Sequence, residues 1–253
     1  MIHIVTAANR ALYADALREM HRLRWEFYIE QRDWRDLRAL QREPGFEYDE
    51  YDDERAIYLL ALAQDDAVQG SMRLRPTEDK SLLFDRFSDL VDDEIGYRGD
   101  ARIWEITRLM RAPAYRGADG ELRLRINCAA CELALTRGVR KFVSAIDTFL
   151  LPAARALNRD KHRVLGLPQD YREGEVIAVE FSPDAEWLAM GRKLGRFAHP
   201  MMLELPPPAG NDQRSPTQEA ALARHLRTLP QDRTARLLEW LGDGGVDQTA
   251  SAA

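Results

Sequence analysis

The alternation of short apolar strands with amphipathic helices is the feature of this sequence that most limits its fold. Apolar or alternating runs predict strands at positions 2–5, 56–63, 68–75, 102–110, 141–146, 176–181 and 201–205. A spacing near 3.6 residues predicts the longer helices at positions 9–30, 120–137, 149–158 and 183–194. Strands and helices in this order favour a mixed α/β sheet with helices on its faces.

Local signals predict where several of these elements begin and end. Gln64, Asp65 and Asp66 form a polar turn, which predicts a hairpin between the second and third strands. Gly138 predicts a helix end, because glycine accepts the left-handed conformation of a C-terminal cap without strain. Ser182 as N-cap and Pro183 at the first helical position predict the start of a later helix.

The segment 102–110 alternates well enough to predict which side chains share a face of its strand. Side chains two residues apart in a strand point the same way. One face is therefore predicted to carry Ile103, Glu105, Thr107 and Leu109, and the other Trp104, Ile106 and Arg108.

Composition divides the chain into a domain at residues 1–205 and a C-terminal extension at residues 206–253. The extension begins with a Pro-rich linker at 206–212 and continues with short amphipathic helices at 217–228 and 231–241. The residues after them are predicted to be disordered. The leucines of the extension either pack back on the domain or meet a partner, and we favour packing.

The balance of charged and apolar residues excludes several classes of protein. Lys and Arg number 36 against 42 Asp and Glu, a net charge of −6, whereas a general nucleic-acid binder needs a broad basic face. No uncharged apolar run approaches the roughly 18 residues that span a bilayer, so no membrane association is predicted. The charged segment that follows the first strand argues against a signal peptide. Two cysteines cannot build a disulfide framework, and the cytoplasm is the expected compartment.

Cys128 and Cys131 match the spacing C-x-x-C, but they lie in the middle of a predicted helix. A redox pair needs its first thiol at a helix N-terminus, and a zinc site needs a second pair of ligands. We therefore predict that both thiols pack in the core. The five histidines show no metal-ligand spacing, so no metal site is predicted.

Residues 31–55 are highly charged and also carry the aromatic side chains of Trp34, Phe46, Tyr48 and Tyr51. A polar segment with aromatic residues between regular elements is typical of a binding loop. The alternative is a solvated linker whose aromatic rings pack on the core, and composition alone leaves both open.

Four blocks of residues in a fixed order carry a more specific signal. They are Arg24, Tyr28 and Trp34; Asp49 and Asp52; residues 70–77 (G-x-x-R-L-x-P-T); and residues 104–108 (W-E-x-T-R). In order and spacing the set resembles the acyl-homoserine-lactone synthases, the autoinducer synthases of bacterial quorum sensing, over roughly residues 1–205. That family usually has phenylalanine where Tyr28 stands, and Phe27 lies beside it.

Residues 111–122 follow a predicted strand and open a helix, a position where free backbone amides favour an anion. They resemble a degenerate pyrophosphate loop, which implies a mixed sheet like that of the Gcn5-related N-acetyltransferases. Asp119 and Glu121 stand where small residues belong, and carboxylates repel phosphate. The alternative is a plain strand-to-helix turn.

The family resemblance implies an acyltransferase that joins S-adenosylmethionine, as a substrate rather than a cofactor, to an acyl thioester. The amine attacks the thioester carbonyl, and the acylated intermediate closes its own lactone and releases methylthioadenosine. An α-amine has a pKa near 8 and must lose a proton before it attacks. Glu105 is the candidate base, directly or through one water, and Arg108 is the second catalytic candidate. Oxyanion donors in this fold usually come from a splayed or bulged strand, here near residues 105–109.

The charges of S-adenosylmethionine explain the remaining residue types in the four blocks. Its carboxylate suits a guanidinium, here that of Arg24 or Arg108. Its sulfonium suits aromatic faces, and its positive charges suit carboxylates. The implied binding residues are Arg24, Phe27, Tyr28, Trp34, Asp49, Asp52 and Arg73. Arg73 is expected to brace the loop that carries Asp49 and Asp52, here called the acidic loop.

The resemblance implies that the acyl donor is either an acyl carrier protein or acyl-CoA. The acyl pocket is predicted at Val143, Ile146, Thr148 and Phe149. Cationic residues around the helix at 149–158 predict docking of an acidic carrier protein by electrostatic steering. They are Arg155, Arg159, Lys161 and Arg163. The alternative is a solvated helix end whose cations favour the helix dipole.

Two other functions stay open from the sequence alone. One is another N-acyltransferase of the same fold that acylates an unrelated amine. The other is an inactive module that binds S-adenosylmethionine or a partner. Only the synthase would release methylthioadenosine.

Overall fold

The computed structural model describes residues 1–34, 38, 41, 43–95, 99–158, 161–172, 174–197, 200–205 and 215–242. The linker at 206–212, the tail beyond residue 242 and the docking candidate Arg159 lie outside these residues. What the sequence predicts for them therefore stays a prediction.

A nine-stranded mixed sheet forms the centre of the molecule. The strands are β1 (Ile2–Val5), β2 (Ile57–Leu62), β3 (Val68–Pro76), β4 (Ile103–Arg111), β5 (Lys141–Asp147), β6 (His162–Val164), β7 (Gln169–Tyr171), β8 (Gly174–Phe181) and β9 (Met202–Glu204). Their order is β6-β8-β5-β4-β3-β2-β1-β9, and β7 also pairs with β8. The pairs β1–β9 and β4–β5 are parallel, and the other pairs are antiparallel. The predicted mixed sheet and the β2–β3 hairpin are confirmed.

Helices cover both faces of this sheet. They are α1 (Ala14–Arg24), α2 (Leu82–Arg86), α3 (Asp119–Arg137), α4 (Leu151–Asn158), α5 (Ala185–Gly195), α6 (Pro216–Leu226) and α7 (Gln231–Trp240). On the first face, α1, α6 and α7 share a core with β2 and β3 that includes Met20, Leu60 and Leu222. On the second face, α3 buries Ile126 and Leu133 against the strands, and α5 packs on α3.

The first helical segment is less regular than its sequence predicts. A 3₁₀ turn (Arg10–Tyr13) precedes α1, and a π-helix (Trp25–Gln31) follows it. The apolar stripe predicted for one continuous helix nevertheless packs on the first face, from Leu12 through Met20 to Phe27. The π-helix widens the last turns at the point where Phe27 and Tyr28 reach the interior.

The predicted start of α5 at Pro183 is wrong. Asp184 is the N-cap, and its carboxylate accepts a hydrogen bond from the backbone N–H of Trp187 at 2.7 Å. The N–H of Ser182 still donates to the carbonyl of Lys161, so Ser182 belongs to the end of the sheet and the helix begins two residues later than predicted. Gly138 caps α3 in the left-handed conformation, as predicted.

Cys128 and Cys131 are free thiols in the core between α3 and α5. Burial raises the pKa of Cys128 to about 11 and that of Cys131 to about 12. Thiols held in the neutral form are poor nucleophiles and poor metal ligands, so the prediction of plain packing is confirmed. In the part of the chain that the structure describes, none of the helices has the length and apolar character needed to cross a membrane.

The helices of the C-terminal extension pack on the first face of the sheet. Leu222 and Leu237 are buried in the core that contains Tyr13 and Leu60. The guanidinium of Arg233 donates to the carbonyl oxygens of Gln64 and Asp65 at 3.2 and 2.9 Å and pairs with Asp66. The extension therefore stabilises both α1 and the β2–β3 turn.

We expect Leu222→Ala to lower the free energy of unfolding by about 2–3 kcal/mol, because it removes buried methyl groups and leaves a cavity. Urea unfolding measures the change. Leu194→Ala on α5 is the matched control, since Leu194 is 66% exposed and its loss should change stability by less than about 0.5 kcal/mol. Equal stability of the two variants would contradict the docking of α6.

Candidate active site

The central strands β4 and β5 pair over only part of their length. Their parallel register covers Ile103 to Glu105 on β4 and Lys141 to Val143 on β5, although both strands continue. Beyond it the hydroxyl of Ser144 donates to the carbonyl of Ile106 at 2.8 Å. A side chain thus satisfies a backbone acceptor that the diverging strand leaves free. The splayed strand expected near residues 105–109 is confirmed.

A β-bulge in β4 changes which side chains face the acidic loop. Arg73 pairs with Thr107 and Ser71 with Met110, so β4 carries one more residue than β3 between these pairs. Arg108 takes up the extra residue with a left-handed φ of 53°. Strict alternation is therefore wrong beyond Thr107: Arg108 lies with Glu105 and Thr107 on the first face, and Leu109 packs with Ile106 on the second.

A cavity of about 1850 Å³ opens where the two strands diverge. On the first face its walls come from the π-helix, the acidic loop and α2. On the second face they come from the start of α3, from α4 and from α5, including Arg123, Leu124 and Trp187. The cavity thus connects both faces of the sheet through the split. Trp34, Tyr48 and Tyr51 line it, so three of the aromatic residues in the predicted binding loop reach the cavity wall.

A buried cluster of three arginines and three carboxylates, here called the ion cluster, lies under the acidic loop. Its members are Arg24, Arg73, Arg108, Glu47, Asp49 and Asp52. Arg24 binds Asp52 in a bidentate pair at 2.7 and 2.9 Å, and Arg73 binds Asp49 at 2.5 and 2.9 Å. Nη2 of Arg108 donates to Glu47 and to Asp49, each at 2.8 Å. The Tyr58 hydroxyl adds a hydrogen bond to Asp52 at 2.9 Å.

The cluster keeps its carboxylates ionised despite their burial. Burial opposes the charge of Asp52, but the guanidinium groups of Arg24 and Arg73 outweigh it and hold the pKa of Asp52 well below its usual value. The same balance lowers the pKa of Asp49, through Arg73 and Arg108, and that of Glu47. Such charges stay buried at neutral pH because they are paired and hydrogen-bonded.

Only part of the ion cluster reaches the cavity. Arg108 and Asp49 line the cavity, and their side chains are 8% and 15% exposed. The side chain of Arg24 is 0% exposed and that of Arg73 1%, and neither is part of the cavity wall. The sequence predicts that Arg24 contacts the substrate directly, but its side chain does not reach the cavity. Arg24 and Arg73 instead hold Asp52 and Asp49 in place from behind the wall.

The sequence did not point to two residues here, namely Glu47 in the ion cluster and His21 beside it. Glu47 is fully buried between Arg24 and Arg108. His21 on α1 exchanges hydrogen bonds with the Glu47 backbone, at 2.8 Å through Nδ1 and 3.1 Å through its own carbonyl. Burial, aided by Arg24, lowers the pKa of His21 to about 4, so it is neutral at neutral pH. A glutamate in a charged loop gives no sequence signal of burial.

Glu105 lies at the fork of the split and lines the cavity. Its carboxylate accepts hydrogen bonds from the backbone N–H groups of Leu82 and Leu83 at 2.8 and 2.7 Å, so it also anchors the start of α2. Burial raises the pKa of Glu105 above its usual value, in spite of these N–H groups and of Arg73. A carboxylate oxygen keeps a further lone pair after accepting one such bond. Glu105 can therefore still accept a proton from the cavity side.

An aromatic wall closes the first-face end of the cavity. Successive ring centroids are 4.8 Å apart for Phe27 and Tyr28, 4.9 Å for Tyr28 and Trp34, 6.1 Å for Trp34 and Tyr171, and 5.1 Å for Tyr171 and Phe87. Both Phe27 and Tyr28 line the cavity, and the guanidinium of Arg108 lies 5.2 Å from the Tyr28 ring centre. Tyr171 and Phe87 come from distant segments and had no motif to reveal them.

The predicted acyl-pocket residues divide into two groups. Ile146 and Phe149 line the cavity, and Phe149 is 74% exposed at its edge. Val143 and Thr148 are not part of its wall. Val143 precedes the split and packs with Leu83 in a separate core cluster. The structure adds Leu124, Phe142 and Trp187 to the apolar lining.

Of the four predicted carrier-docking residues the structure describes Arg155, Lys161 and Arg163, and their surroundings differ. Lys161 pairs with Asp184 and with Glu186, so two carboxylates lie beside its ammonium group. Arg155 is exposed, and its Nε donates to the ring of His162 at 3.2 Å. Arg163 is exposed on β6. Across the described residues, no cluster of His, Cys, Asp or Glu is arranged to hold a metal ion.

The split sheet and the two-sided cavity fit a transferase that brings two substrates together between β4 and β5. The comparison with known proteins is more specific. The family model described as autoinducer synthase matches residues 9–188, and this chain belongs to that family. The resemblance seen in the four sequence blocks is thereby confirmed, and the chain is an acyltransferase.

Relatives of known sequence and structure agree with this assignment. The isovaleryl-homoserine lactone synthase of Bradyrhizobium diazoefficiens is 38% identical over 152 residues, which are 60% of this chain and 66% of that relative. The structure of BjaI, a CoA-dependent acyl-homoserine lactone synthase with SAM and isopentyl-CoA, matches with a TM-score of 0.74 and 30% identity. It covers 88% of this chain and 99% of that chain. The structure of MesI, another CoA-dependent acyl-homoserine lactone synthase, matches with a TM-score of 0.69 and 29% identity. That match covers 80% of this chain and 98% of MesI.

Proposed function

We propose that this enzyme makes an N-acyl-homoserine lactone from S-adenosylmethionine and acyl-CoA, with methylthioadenosine and free CoA as by-products. The observation that carries the proposal is the single cavity that runs through the split between β4 and β5. One end carries cationic and anionic groups with an aromatic wall, and the other is mainly apolar. These ends suit an ionic amino acid derivative and a long thioester respectively.

S-adenosylmethionine fits the first-face end by charge and shape. Arg108 is the member of the ion cluster whose guanidinium lies on the cavity wall there, and within the described residues its Nη1 donates to no protein atom. It is placed to hold the substrate carboxylate. Asp49 is the partly exposed carboxylate beside it and suits the substrate's ammonium group. Trp34, Phe27 and Tyr28 offer aromatic faces to the sulfonium.

Glu105 is the proposed base, acting directly or through one water. Its raised pKa brings it nearer to that of the amine than an ordinary carboxylate would be. In the first step a C–N bond forms, the thioester C–S bond breaks, and the thiol leaves with a proton. In the second step the substrate carboxylate attacks the carbon beside sulfur, that C–S bond breaks, and its electron pair stays on sulfur.

Three observations support acyl-CoA over a carrier protein as the donor. The structural relatives BjaI and MesI are described as CoA-dependent, at 30% and 29% identity. Lys161 in the predicted docking cluster already pairs with the carboxylates of Asp184 and Glu186. Arg123, at the start of α3, lies on the second-face wall of the cavity.

The cytoplasm stays our proposed compartment, because both substrates are made there.

We expect the purified chain to release methylthioadenosine when mixed with S-adenosylmethionine and short acyl-CoA thioesters, isovaleryl-CoA first. Mass spectrometry would identify the lactone and the acyl group. The same acyl group on a carrier protein should react more slowly, and Arg163→Glu should leave the acyl-CoA rate unchanged. Acylation of an added amine without methylthioadenosine would indicate instead another N-acyltransferase of this fold.

A further inference from the structure

The N–H groups that hold Glu105 come from the first turn of a very short helix. Leu82 and Leu83 open α2, and their N–H groups donate to the Glu105 carboxylate at 2.8 and 2.7 Å. The helix has 5 residues, whereas an isolated helix is only marginally stable in water below about 12. The position of both donors therefore depends on side-chain contacts that fix the start of α2.

Asp85 provides such a contact at Ser81, the N-cap residue of α2. Its Oδ2 atom accepts a hydrogen bond from the Ser81 N–H at 3.1 Å, and its own N–H donates to the Ser81 carbonyl at 2.8 Å. Both bonds fix the backbone immediately before Leu82 and Leu83. Asp85 is not part of the cavity wall, so it acts on the site only through these neighbours.

Tyr51 connects Asp85 to the acidic loop. Its hydroxyl donates to the same Oδ2 atom of Asp85 at 3.2 Å, and its backbone N–H donates to Oδ1 of Asp49 at 2.9 Å. Tyr51 is only 2% exposed, and the Cζ atom of Arg73 lies 5.8 Å from its ring centre. One buried residue thus joins the carboxylate assigned to the substrate's ammonium group to the helix that holds Glu105.

Resting on the proposed function, we propose that Asp85 is a positioning residue for the base Glu105. Asp85 fixes Ser81, and Ser81 sets the direction of the two N–H groups that follow it. These N–H groups in turn orient the Glu105 carboxylate. Tyr51 couples Asp85 to Asp49, so an ammonium group bound at Asp49 lies on the same hydrogen-bonded path as the base that must deprotonate it.

Loss of the Asp85 carboxylate should make Glu105 a weaker acid. The charged and hydrogen-bonding groups that surround Glu105 on β3 and at the start of α2 are Arg73, Arg75, Ser81, Leu82 and Leu83. Arg73 and the N–H groups favour the ionised form, whereas burial opposes it and raises the pKa of Glu105. Misaligned N–H groups would offset less of the burial, so the pKa of Glu105 should rise further.

The first test measures kcat and the acid limb of kcat/KM, its fall at low pH, for methylthioadenosine release by the full-length protein. We expect Asp85→Ala to lower kcat by about tenfold, the effect of one hydrogen bond, and to move the acid limb to higher pH. Asp85→Asn loses the same charge but keeps an acceptor oxygen for Ser81 and Tyr51, so both values should return close to wild type. An acid limb of Asp85→Ala that coincides with that of Asp85→Asn would overturn the proposal.

Asp100→Ala is the matched control. Its carboxylate also accepts one backbone N–H, from Arg102 at 2.6 Å, and one side-chain donor, from Arg140 at 3.0 Å, and it is not part of the cavity wall. Loss of these bonds should leave kcat and the acid limb unchanged. An equal shift in this variant would contradict a specific role of Asp85.

Tyr51→Phe tests the second link and keeps the ring in the cavity wall. Alone, it should lower kcat and move the acid limb in the same direction as Asp85→Ala. In the Asp85→Ala background it should cost nothing further, because both groups act through one path. Additive losses would contradict the coupling.

A ¹³C NMR titration of the Glu105 carboxyl group tests the positioning without the reaction. Comparison with the Glu105→Gln spectrum identifies its resonance, and its midpoint should be higher in Asp85→Ala than in Asp85→Asn. Such a shift in a protein that releases no methylthioadenosine would remove the proposed function and leave the positioning of Glu105 in place. Equal midpoints would overturn the positioning itself.

Discussion

Glu105→Gln is expected to lower the turnover number by about 10²- to 10⁴-fold, the usual contribution of a positioned general base. The amide cannot take a proton from the attacking amine. The substitution also places an NH₂ group near the N–H groups of Leu82 and Leu83, so some loss of stability is expected as well. Initial rates of methylthioadenosine release and thermal unfolding measure the two effects separately.

Glu132→Gln is the matched control for that substitution. Glu132 is also a buried carboxylate that accepts a backbone hydrogen bond, from Met201 at 3.0 Å, but it is not part of the cavity wall. The Glu132→Gln variant should be less stable than wild type and keep the wild-type turnover number. A Glu105→Gln variant with wild-type turnover would remove Glu105 from the mechanism.

The dependence of kcat/KM on pH tests the role of Glu105 independently. The base must be ionised, and burial raises the pKa of Glu105. As the pH falls, kcat/KM should therefore begin to decline above the range of an ordinary glutamate, near 4.3. This acid limb should be absent from the residual activity of Glu105→Gln.

Asp52→Asn is expected to lower the free energy of unfolding by about 3–5 kcal/mol, the usual cost of removing one partner from a buried ion pair. The amide leaves the buried charges of Arg24 and Arg73 with fewer compensating partners. Urea unfolding measures the change. Glu50→Gln is the control in the same loop, because its pair with Arg86 is exposed, and it should cost less than about 1 kcal/mol.

Acid should reveal the same ion pairs in the wild-type protein. The pKa of Asp52 is well below its usual value in the folded state, so its contribution is fully present above the unfolded-state pKa, near 3.9. It is lost as the pH falls through the lower folded-state pKa. The stability of Asp52→Asn should therefore depend less on pH below about 4 than that of wild type. Parallel curves of stability against pH for the two proteins would contradict the low folded-state pKa of Asp52.

The arrangement of the site shows what a linear motif can and cannot convey. The four sequence blocks correctly brought Trp34, Asp49 and Arg108 to one cavity, because the fold returns these segments to the same end of the sheet. They did not indicate that Arg24 lies behind the wall, since a motif records which residues occur and not which face solvent. Tyr171, Phe87 and His21 belong to no block and join the site only through tertiary packing.

The sequence by itself determined the order of seven of the nine described strands and of every described α-helix except α2. It also determined the β2–β3 hairpin, the Gly138 cap and the burial of Cys128 and Cys131. These follow from local hydrophobic periodicity and turn chemistry, which act within a few residues. The tertiary structure decided the face on which Arg108 lies, because the bulge arises from pairing with β3. It also decided the split between β4 and β5 and the pairing of the ion cluster. These depend on contacts between residues far apart in sequence, where no local pattern carries the information.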